Sequence, residues 1–184
     1  MNATKSRHIR ITAAAGAALG LAAAGVVVVP GSAQAAPVAI VCAVGSQRTD
    51  YTPPLTNTTR DTAVSSTENY SCTSLLTGVS SATGTTANGG EQSCLLALVP
   101  PTDTSIRTYQ WNTGQSSTIA FFTNTVATLA NGTTVITSVG SVSSGLGQGS
   151  AVTRVVAQPS LSLTACATTG INTLNGNATL EILP

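Results

Sequence analysis

Residues 123–142 read TNTVATLANGTTVITSVGSV and contain the clearest structural signal in the chain. Two runs rich in Val, Ile and Thr flank Asn131-Gly132, a dipeptide that accepts the positive φ angles of a tight hairpin turn. β-Branched residues pack well on a pleated surface and lose side-chain freedom in a helix. The segment therefore predicts two antiparallel strands that meet across this turn, with Val126 on the same face as Val135 and Val139.

The residues before this segment predict another hairpin. Its turn is Asn112-Thr113-Gly114, in which the glycine accepts a positive φ angle. On the strand that precedes the turn, alternation places Arg107, Tyr109 and Trp111 on one face. This face contains the only tryptophan and one of the three tyrosines of a chain that is only 3% aromatic.

Working outward, short strands recur at a spacing of about ten residues, and no segment shows a sustained helical period. The further strands predicted are Val38–Val44, Ala63–Ser74, Ala151–Ala157, Leu161–Thr168 and a hairpin across Asn175-Gly176. The Gly-, Ser-, Thr- and Asn-rich residues 78–90 predict a loop. The fold class is therefore all-β. We expect an antiparallel β-sandwich, immunoglobulin-like in the broad sense, with a β-barrel as the alternative.

The N-terminus has the three parts of a secretory signal. A basic start precedes the apolar run Ile11–Val29, and Ala33-Gln34-Ala35 forms an A-x-A cleavage site. The apolar run is mainly Ala and Gly, which partition weakly into lipid, so we expect it to be removed rather than to remain as an anchor. Cleavage after Ala35 would leave residues 36–184 as a single secreted β domain with no membrane span.

Removal of residues 1–35 would take away the only histidine and the only lysine, His8 and Lys5. Four arginines and six acidic residues would remain, a net charge of −2. A basic groove for nucleic acid cannot be built from this composition. Catalytic triads that depend on His or Lys are also excluded, so we expect a protein that is not an enzyme and has no catalytic residues and no cofactor. A carboxylate pair, as in glycoside hydrolysis, is the one acid–base scheme left open.

Four cysteines lie beyond the signal: Cys42, Cys72, Cys94 and Cys166. In an oxidising compartment they predict two disulfides, and three pairings are possible. We favour Cys42 with Cys72 and Cys94 with Cys166. A metal site is not expected, because no two cysteines are close in sequence and no histidine accompanies them.

The face formed by Arg107, Tyr109 and Trp111 has two interpretations. As a binding surface, the rings would anchor a partner and Arg107 would contact a carboxylate or stack. As core, a lone tryptophan would pack inside the fold, often near a disulfide. Core is the favoured interpretation for Trp111, and the binding role of all three residues depends on their exposure.

The order of Cys42, Tyr51-Thr52-Pro53-Pro54-Leu55 and Tyr70-Ser71-Cys72, followed by Cys94, Trp111-Asn112-Thr113-Gly114 and Cys166, is similar to a group of secreted actinobacterial proteins. The resemblance covers nearly all of the chain after the signal. It implies a β-sandwich with two disulfides, and it implies no activity and no functional residues.

Three functional hypotheses follow. The leading one is a secreted or cell-surface, non-enzymatic interaction domain whose partner is an extracellular protein or a cell-wall component. The second is a small-molecule carrier or a protease-inhibitor-like protein, which needs a concave pocket or a rigid protruding loop. The third is a carboxylate-based hydrolase, which needs two acidic residues roughly 5–10 Å apart in a cleft.

Overall fold

The computed structural model describes residues 38–98 and 105–184. These residues form an all-β structure in which eight strands close into one antiparallel barrel. The predicted signal, residues 1–35 with its cleavage site, lies outside the described residues.

The barrel is a simple meander in which each strand pairs with its neighbour in sequence and β8 returns to β1. The strands are β1 (Ile40–Leu55), β2 (Arg60–Ser74), β3 (Ser81–Gln92), β4 (Ser105–Trp111), β5 (Ser116–Thr128), β6 (Thr133–Gly145), β7 (Ala151–Pro159) and β8 (Ile171–Leu183). A 3₁₀ turn (Leu96–Leu98) follows β3, and a short helix, α1 (Leu163–Ala167), lies between β7 and β8.

Among the described residues, no helix is long and apolar enough to span a membrane.

Closure of the sheet corrects the expectation of a sandwich in favour of the barrel alternative. β1 pairs with β8 from Ile40 opposite Ile182 to Leu55 opposite Ile171. This pairing joins segments more than a hundred residues apart, so no local pattern in the sequence reports it. Because both ends of the meander are paired, neither β1 nor β8 is an edge strand that needs a second sheet to cover it.

One end of the barrel interior is filled by apolar side chains. The members that are at most 3% exposed include Ile40, Cys42, Trp111, Ile119, Phe121, Val142, Val152, Leu180 and Ile182. The Cys42–Cys72 disulfide joins β1 to β2 within this core. We call this the apolar end of the barrel.

The opposite end is covered by three chain connections. The Cys94–Cys166 disulfide ties the connection after β3 to α1. The β1–β2 turn is bound to both half-cystines, since Cys94 N donates to Thr56 O and Asn57 N donates to Cys166 O. Leu55 and Ile171 pack with the two cysteines in a small second core. We call this the cap end. Both disulfides are the pairs that the sequence analysis favoured.

The hairpin across Asn131-Gly132 exists, but its register differs from the expected one. Gly132 N donates to Leu129 O and Leu129 N donates to Thr133 O, so the loop has three residues and ends in Gly132 at φ +78°. A shift of one residue reverses the face of every side chain on a strand. Val126 therefore lies opposite Ile136, and the prediction that it shares a face with Val135 and Val139 is wrong.

Three other local predictions are also wrong. Residues 78–90 are not one loop, because they contain most of β3, whose small side chains alternate between the two faces of the barrel wall. The segment 161–168 contains α1, which begins after Ser162, whose hydroxyl accepts from Ala165 N as an N-cap. Asn175-Gly176 lies inside β8 and makes no turn. At Gly176 a Cβ would stand 2.8 Å from Ala157 O, so this glycine permits a close approach of two strands.

Two tyrosines in the barrel interior each lie over a glycine of the neighbouring strand. Tyr70 is opposite Gly45, and Tyr109 is opposite Gly84. A Cβ on Gly45 would stand 2.4 Å from Tyr70 Cδ1, and a Cβ on Gly84 would stand 2.6 Å from Tyr109 Cε1. The missing side chains provide the space into which the rings fold, which fixes where their hydroxyl groups point.

We predict that Gly84→Ala lowers the free energy of unfolding by about 1–3 kcal/mol, because the added methyl group meets the Tyr109 ring. Gly89→Ala in the same strand is the matched control, since its Cβ would meet nothing nearer than 3.7 Å. Urea unfolding followed by the fluorescence of Trp111, the only tryptophan, measures both. Equal stability of the two variants would contradict the assignment.

Candidate functional site

The middle of the barrel contains a buried carboxylate with four hydrogen-bond donors around it. Glu68 on β2 is 1% exposed in its side chain. Tyr70 and Tyr109 donate their hydroxyl protons to Glu68 Oε2 over 2.9 and 2.8 Å. Arg107 Nη1 donates to Oε1 over 2.9 Å, and the Arg154 guanidinium spans both oxygens. We call these five residues the charged layer.

The partners of Glu68 decide its protonation. Burial alone would raise the pKa of the carboxyl, but the positive charges of Arg154 and Arg107 and the donated hydrogen bonds outweigh it and lower the pKa. Burial and the negative charge of Glu68 raise the pKa of both Tyr70 and Tyr109. The carboxylate therefore remains ionised and both phenols remain protonated donors at neutral pH.

Arg154 connects the layer across the barrel. It lies on β7, is 5% exposed in its side chain, and also donates to Gln47 Oε1 on β1 over 2.7 Å. Burial would lower the pKa of Arg154, but the adjacent carboxylate of Glu68 raises it, so the guanidinium is charged. The layer thus contains two cations and one anion, a net charge of +1.

Arg107 stands at a seam in the barrel wall. β3 and β4 pair over only four residues each, from Ala82 opposite Trp111 to Thr85 opposite Thr108. Beyond Thr85, β3 stays paired only with β2, and before Thr108, β4 stays paired only with β5. A side-chain bond from Arg107 Nη1 to Thr86 Oγ1 (3.3 Å) is the link across this part of the seam.

The exposure of Arg107 separates it from the other members of the layer. Its side chain is 20% exposed, compared with 5% for Arg154. Among the described residues, its Nε and Nη2 groups have no hydrogen-bond partner. The Nε and Nη2 groups of Arg107 are therefore charged donors at the seam, and they adjoin a layer that has an excess positive charge.

The structure places Arg107, Tyr109 and Trp111 on one face, as predicted, and that face points into the barrel. Tyr109 is fully buried and Trp111 is 3% exposed. Trp111 stacks on Tyr109 and donates from Nε1 to Ser117 Oγ over 2.9 Å. An exposed aromatic binding surface at these positions is therefore excluded, because the barrel closes around both rings. Only Arg107 keeps contact with solvent.

A polar groove runs over the outside of the barrel, on the wall opposite the one that carries Arg107. It has a volume of about 940 Å³ and crosses β2, β1, β8 and β7. Its lining contains Asn, Gln, Ser and Thr side chains together with the Arg48–Asp50 ion pair and no aromatic ring.

Among the described residues, Asp50 is the only acidic side chain that lines the groove, so the groove does not contain the carboxylate pair of the hydrolase hypothesis. Asp61 and Glu91 are direct cross-strand neighbours on β2 and β3, but both are exposed and neither lines the groove. Asp50 is bound by Arg48, and Glu68 is enclosed in the charged layer. No group of three or more His, Cys, Asp or Glu side chains among residues 38–98 and 105–184 is placed to bind a metal ion.

Sequence reasoning missed Glu68 and Arg154, the two residues at the centre of the layer. The signal for Arg154 was its position between Val152 and Val156, two residues away on each side of it in a strand. A charge flanked in this way lies on the buried face. Glu68 had a similar signal in Tyr70 and Cys72, which follow at the same alternation. Because a buried charge needs a partner of opposite charge, Glu68 and Arg154 could then have been predicted to pair.

No protein-family model, curated protein or solved structure matches this chain.

We predict that Glu68→Gln lowers the free energy of unfolding at pH 7 by about 3–5 kcal/mol, because it leaves two enclosed guanidinium groups without their counter-charge. Glu91→Gln, an exposed change on β3, is the control and should stay within about 0.5 kcal/mol of the wild type. Urea unfolding measured by Trp111 fluorescence reports both.

A comparison of the wild type with Glu68→Gln also tests how stability depends on pH. The folded-state pKa of Glu68 lies below that of the unfolded chain, which is about 4.3. Its stabilising contribution is therefore complete above the unfolded pKa and is lost as the pH falls through the lower, folded value. We expect the stability difference between wild type and Glu68→Gln to be constant from pH 7 to about 5 and to shrink at lower pH. A difference that grows on acidification would contradict the ionised assignment.

Proposed function

We propose that this chain is a secreted, non-enzymatic binding protein that takes a small anionic ligand through Arg107. The observation that carries the proposal is the charge balance of the barrel interior. Two arginines share a single carboxylate, and the more exposed of the two keeps free donors at the β3–β4 seam.

Electrostatics favour an anion at this position. A charge in a low-dielectric interior is stable only when it is paired, and Glu68 can neutralise only one of the two guanidinium groups. An anionic group at Arg107 would balance the second. Because the charged layer is already fixed by its own bonds, the protein would not need to reorganise to receive it.

The donor geometry indicates which anions fit. Nε and one Nη of a guanidinium form a planar fork that matches a carboxylate or phosphate with two parallel hydrogen bonds. In Arg107 the Nη1 group is engaged by Glu68 and Thr86. The free pair, Nε and Nη2, is therefore the edge that would receive the ligand, with a carboxylate as the best match.

Two disulfides are compatible with an extracellular location, where cysteines oxidise and remain paired. Of the three hypotheses from the sequence, this proposal follows the second, the small-molecule carrier. It keeps Arg107 from the leading hypothesis and gives Tyr109 and Trp111 a packing role. The ligand is expected to be bound unchanged, because the carboxylate and phenols of the layer already bind one another.

The test is a titration of the oxidised protein with acetate, benzoate and inorganic phosphate at constant ionic strength, followed by NMR. We expect the Arg107 Nε–H signal to shift in a saturable manner with at least one of the three. Arg107→Gln should weaken that binding by at least about tenfold, since it removes a charged hydrogen-bond donor. Arg107→Lys should retain part of it, because it preserves the charge and loses the fork.

The control variant is Arg60→Gln, which removes an exposed arginine whose one side-chain hydrogen bond within residues 38–98 and 105–184 is to the Pro54 carbonyl oxygen. It changes the net charge by the same amount and should leave anion binding unaltered. Equal loss in Arg60→Gln and Arg107→Gln would mean that general charge attraction, and not the seam, accounts for the binding. Absence of any saturable shift at Arg107 would overturn the proposal.

A further inference from the structure

The outer groove is built from cross-strand rows of polar side chains. In one row, Ser46 of β1 lies between Asn69 of β2 and Asn177 of β8. In the next, Arg48 lies between Thr67 and Asn175 on the same two neighbouring strands. Side chains directly opposite one another in antiparallel strands have Cβ atoms about 4.5–5.5 Å apart. The floor of the groove is therefore a closely spaced grid of hydroxyl and amide groups.

The groove is electrically neutral within itself. Arg48 donates from Nε and Nη2 to the two oxygens of Asp50 over 2.8 and 2.7 Å, and Thr173 Oγ1 donates to the same carboxylate over 2.6 Å. The positive charge of Arg48 and the negative charge of Asp50 therefore neutralise each other. A ligand with a net charge would find no unpaired counter-charge among the described lining residues, in contrast with Arg107 inside the barrel.

Several polar groups of the lining are not used by the fold. Among the described residues, the side chains of Asn175, Asn177 and Gln158 have no hydrogen-bond partner. Each carboxamide offers two donor protons and an acceptor oxygen. An apolar ligand would cover these groups without satisfying them, at a cost in free energy. A ligand that carries many hydroxyl groups would satisfy both functions of each amide.

One wall of the groove is fixed before any ligand arrives. The β5–β6 loop and the first residue of β6 contribute Asn131, Gly132 and Thr133 to the lining, and this segment is bonded to the residue after β7. Ser160 N donates to Gly132 O over 2.9 Å, and the Ser160 hydroxyl lies 3.0 Å from Thr134 Oγ1. Asn131 Oδ1 accepts from Thr133 N over 3.0 Å, which orders the tip of the loop. A preformed wall reduces the entropy lost on binding.

We propose that this groove is a second binding site and that its ligand is a neutral oligosaccharide. Hydroxyl groups on neighbouring sugar rings each donate and accept, as the grid of amides and hydroxyls requires. The described lining residues include no aromatic ring on which a sugar could stack. Hydrogen bonds would therefore hold the oligosaccharide, and Asn175 and Asn177 would make the main contacts. The site is separate from Arg107, since it lies on the outer face of the wall formed by β2, β1, β8 and β7.

The test uses the oxidised protein and three neutral probes: maltohexaose, cellohexaose and N-acetylchitohexaose. With at least one of them, NMR titration should show saturable shifts of the side-chain amide signals of Asn175 and Asn177. The double variant Asn175→Ala/Asn177→Ala should lose at least about tenfold in affinity, because two hydrogen-bonding groups are removed. Both residues are exposed, so the variant should fold as the wild type does. Asn57→Ala, an exposed change at the cap end, is the matched control.

Two results would overturn this inference. One is the absence of saturable shifts with all three hexasaccharides at millimolar concentration. The other is binding of a neutral Gly/Ser peptide at these amides without binding of any saccharide, which would assign the groove to extended polypeptide. Arg107→Gln should bind the hexasaccharide with unchanged affinity. Saccharide binding at the groove and anion binding at Arg107 are therefore tested separately.

Discussion

The barrel depends on one interaction, the set of hydrogen bonds received by the Glu68 carboxylate. Its donors come from β2 itself, from β4 and from β7, and Arg154 extends the set to Gln47 on β1. Apolar packing is non-directional and tolerates more than one register. A buried charge does not, because a slip of one residue in β2 would place Glu68 outside and leave Arg154 enclosed without its counter-charge. The register of the barrel and its charged interior therefore have the same cause.

The positions of the glycines explain how so few aromatic residues can support this interaction. Tyr70 and Tyr109 donate to the same carboxylate oxygen, and each ring passes close to a glycine of the strand beside it. Gly45 and Gly84 provide that space, and any larger residue would push the rings away. Trp111 then stacks on Tyr109 and closes the layer toward the apolar end. The sequence of β3 is rich in small residues and does not predict a strand. Its Gly84 has a structural role all the same, because it leaves room for the Tyr109 ring of the neighbouring strand.

Sequence reasoning reached the parts of this structure that local chemistry specifies. Alternation identified most strands and placed Arg107, Tyr109 and Trp111 on one face, and Gly114 marked its turn. It did not establish which side of the wall that face occupies, because the inside of a barrel is defined by the pairing of β1 with β8. The Asn-Gly pairs at residues 131–132 and 175–176 show the same limit. One makes a three-residue loop and the other lies within β8, and only tertiary contacts distinguish them.

The barrel wall is a single layer of strands, so each strand presents one set of side chains to the interior and another set to the solvent. In β1, the Gln47 side chain accepts a hydrogen bond from Arg154 of the charged layer, whereas Ser46 and Arg48 on either side of it belong to the cross-strand rows of the outer groove. The charged layer is under strict constraint, since every change in it alters the partners of a buried charge. The outer grid is not, because its amides are exposed and contribute little to stability. Ligand preference at the proposed outer site could therefore change by substitution without loss of the fold, while the proposed preference for an anion at Arg107 is tied to the bond network that holds the barrel in register.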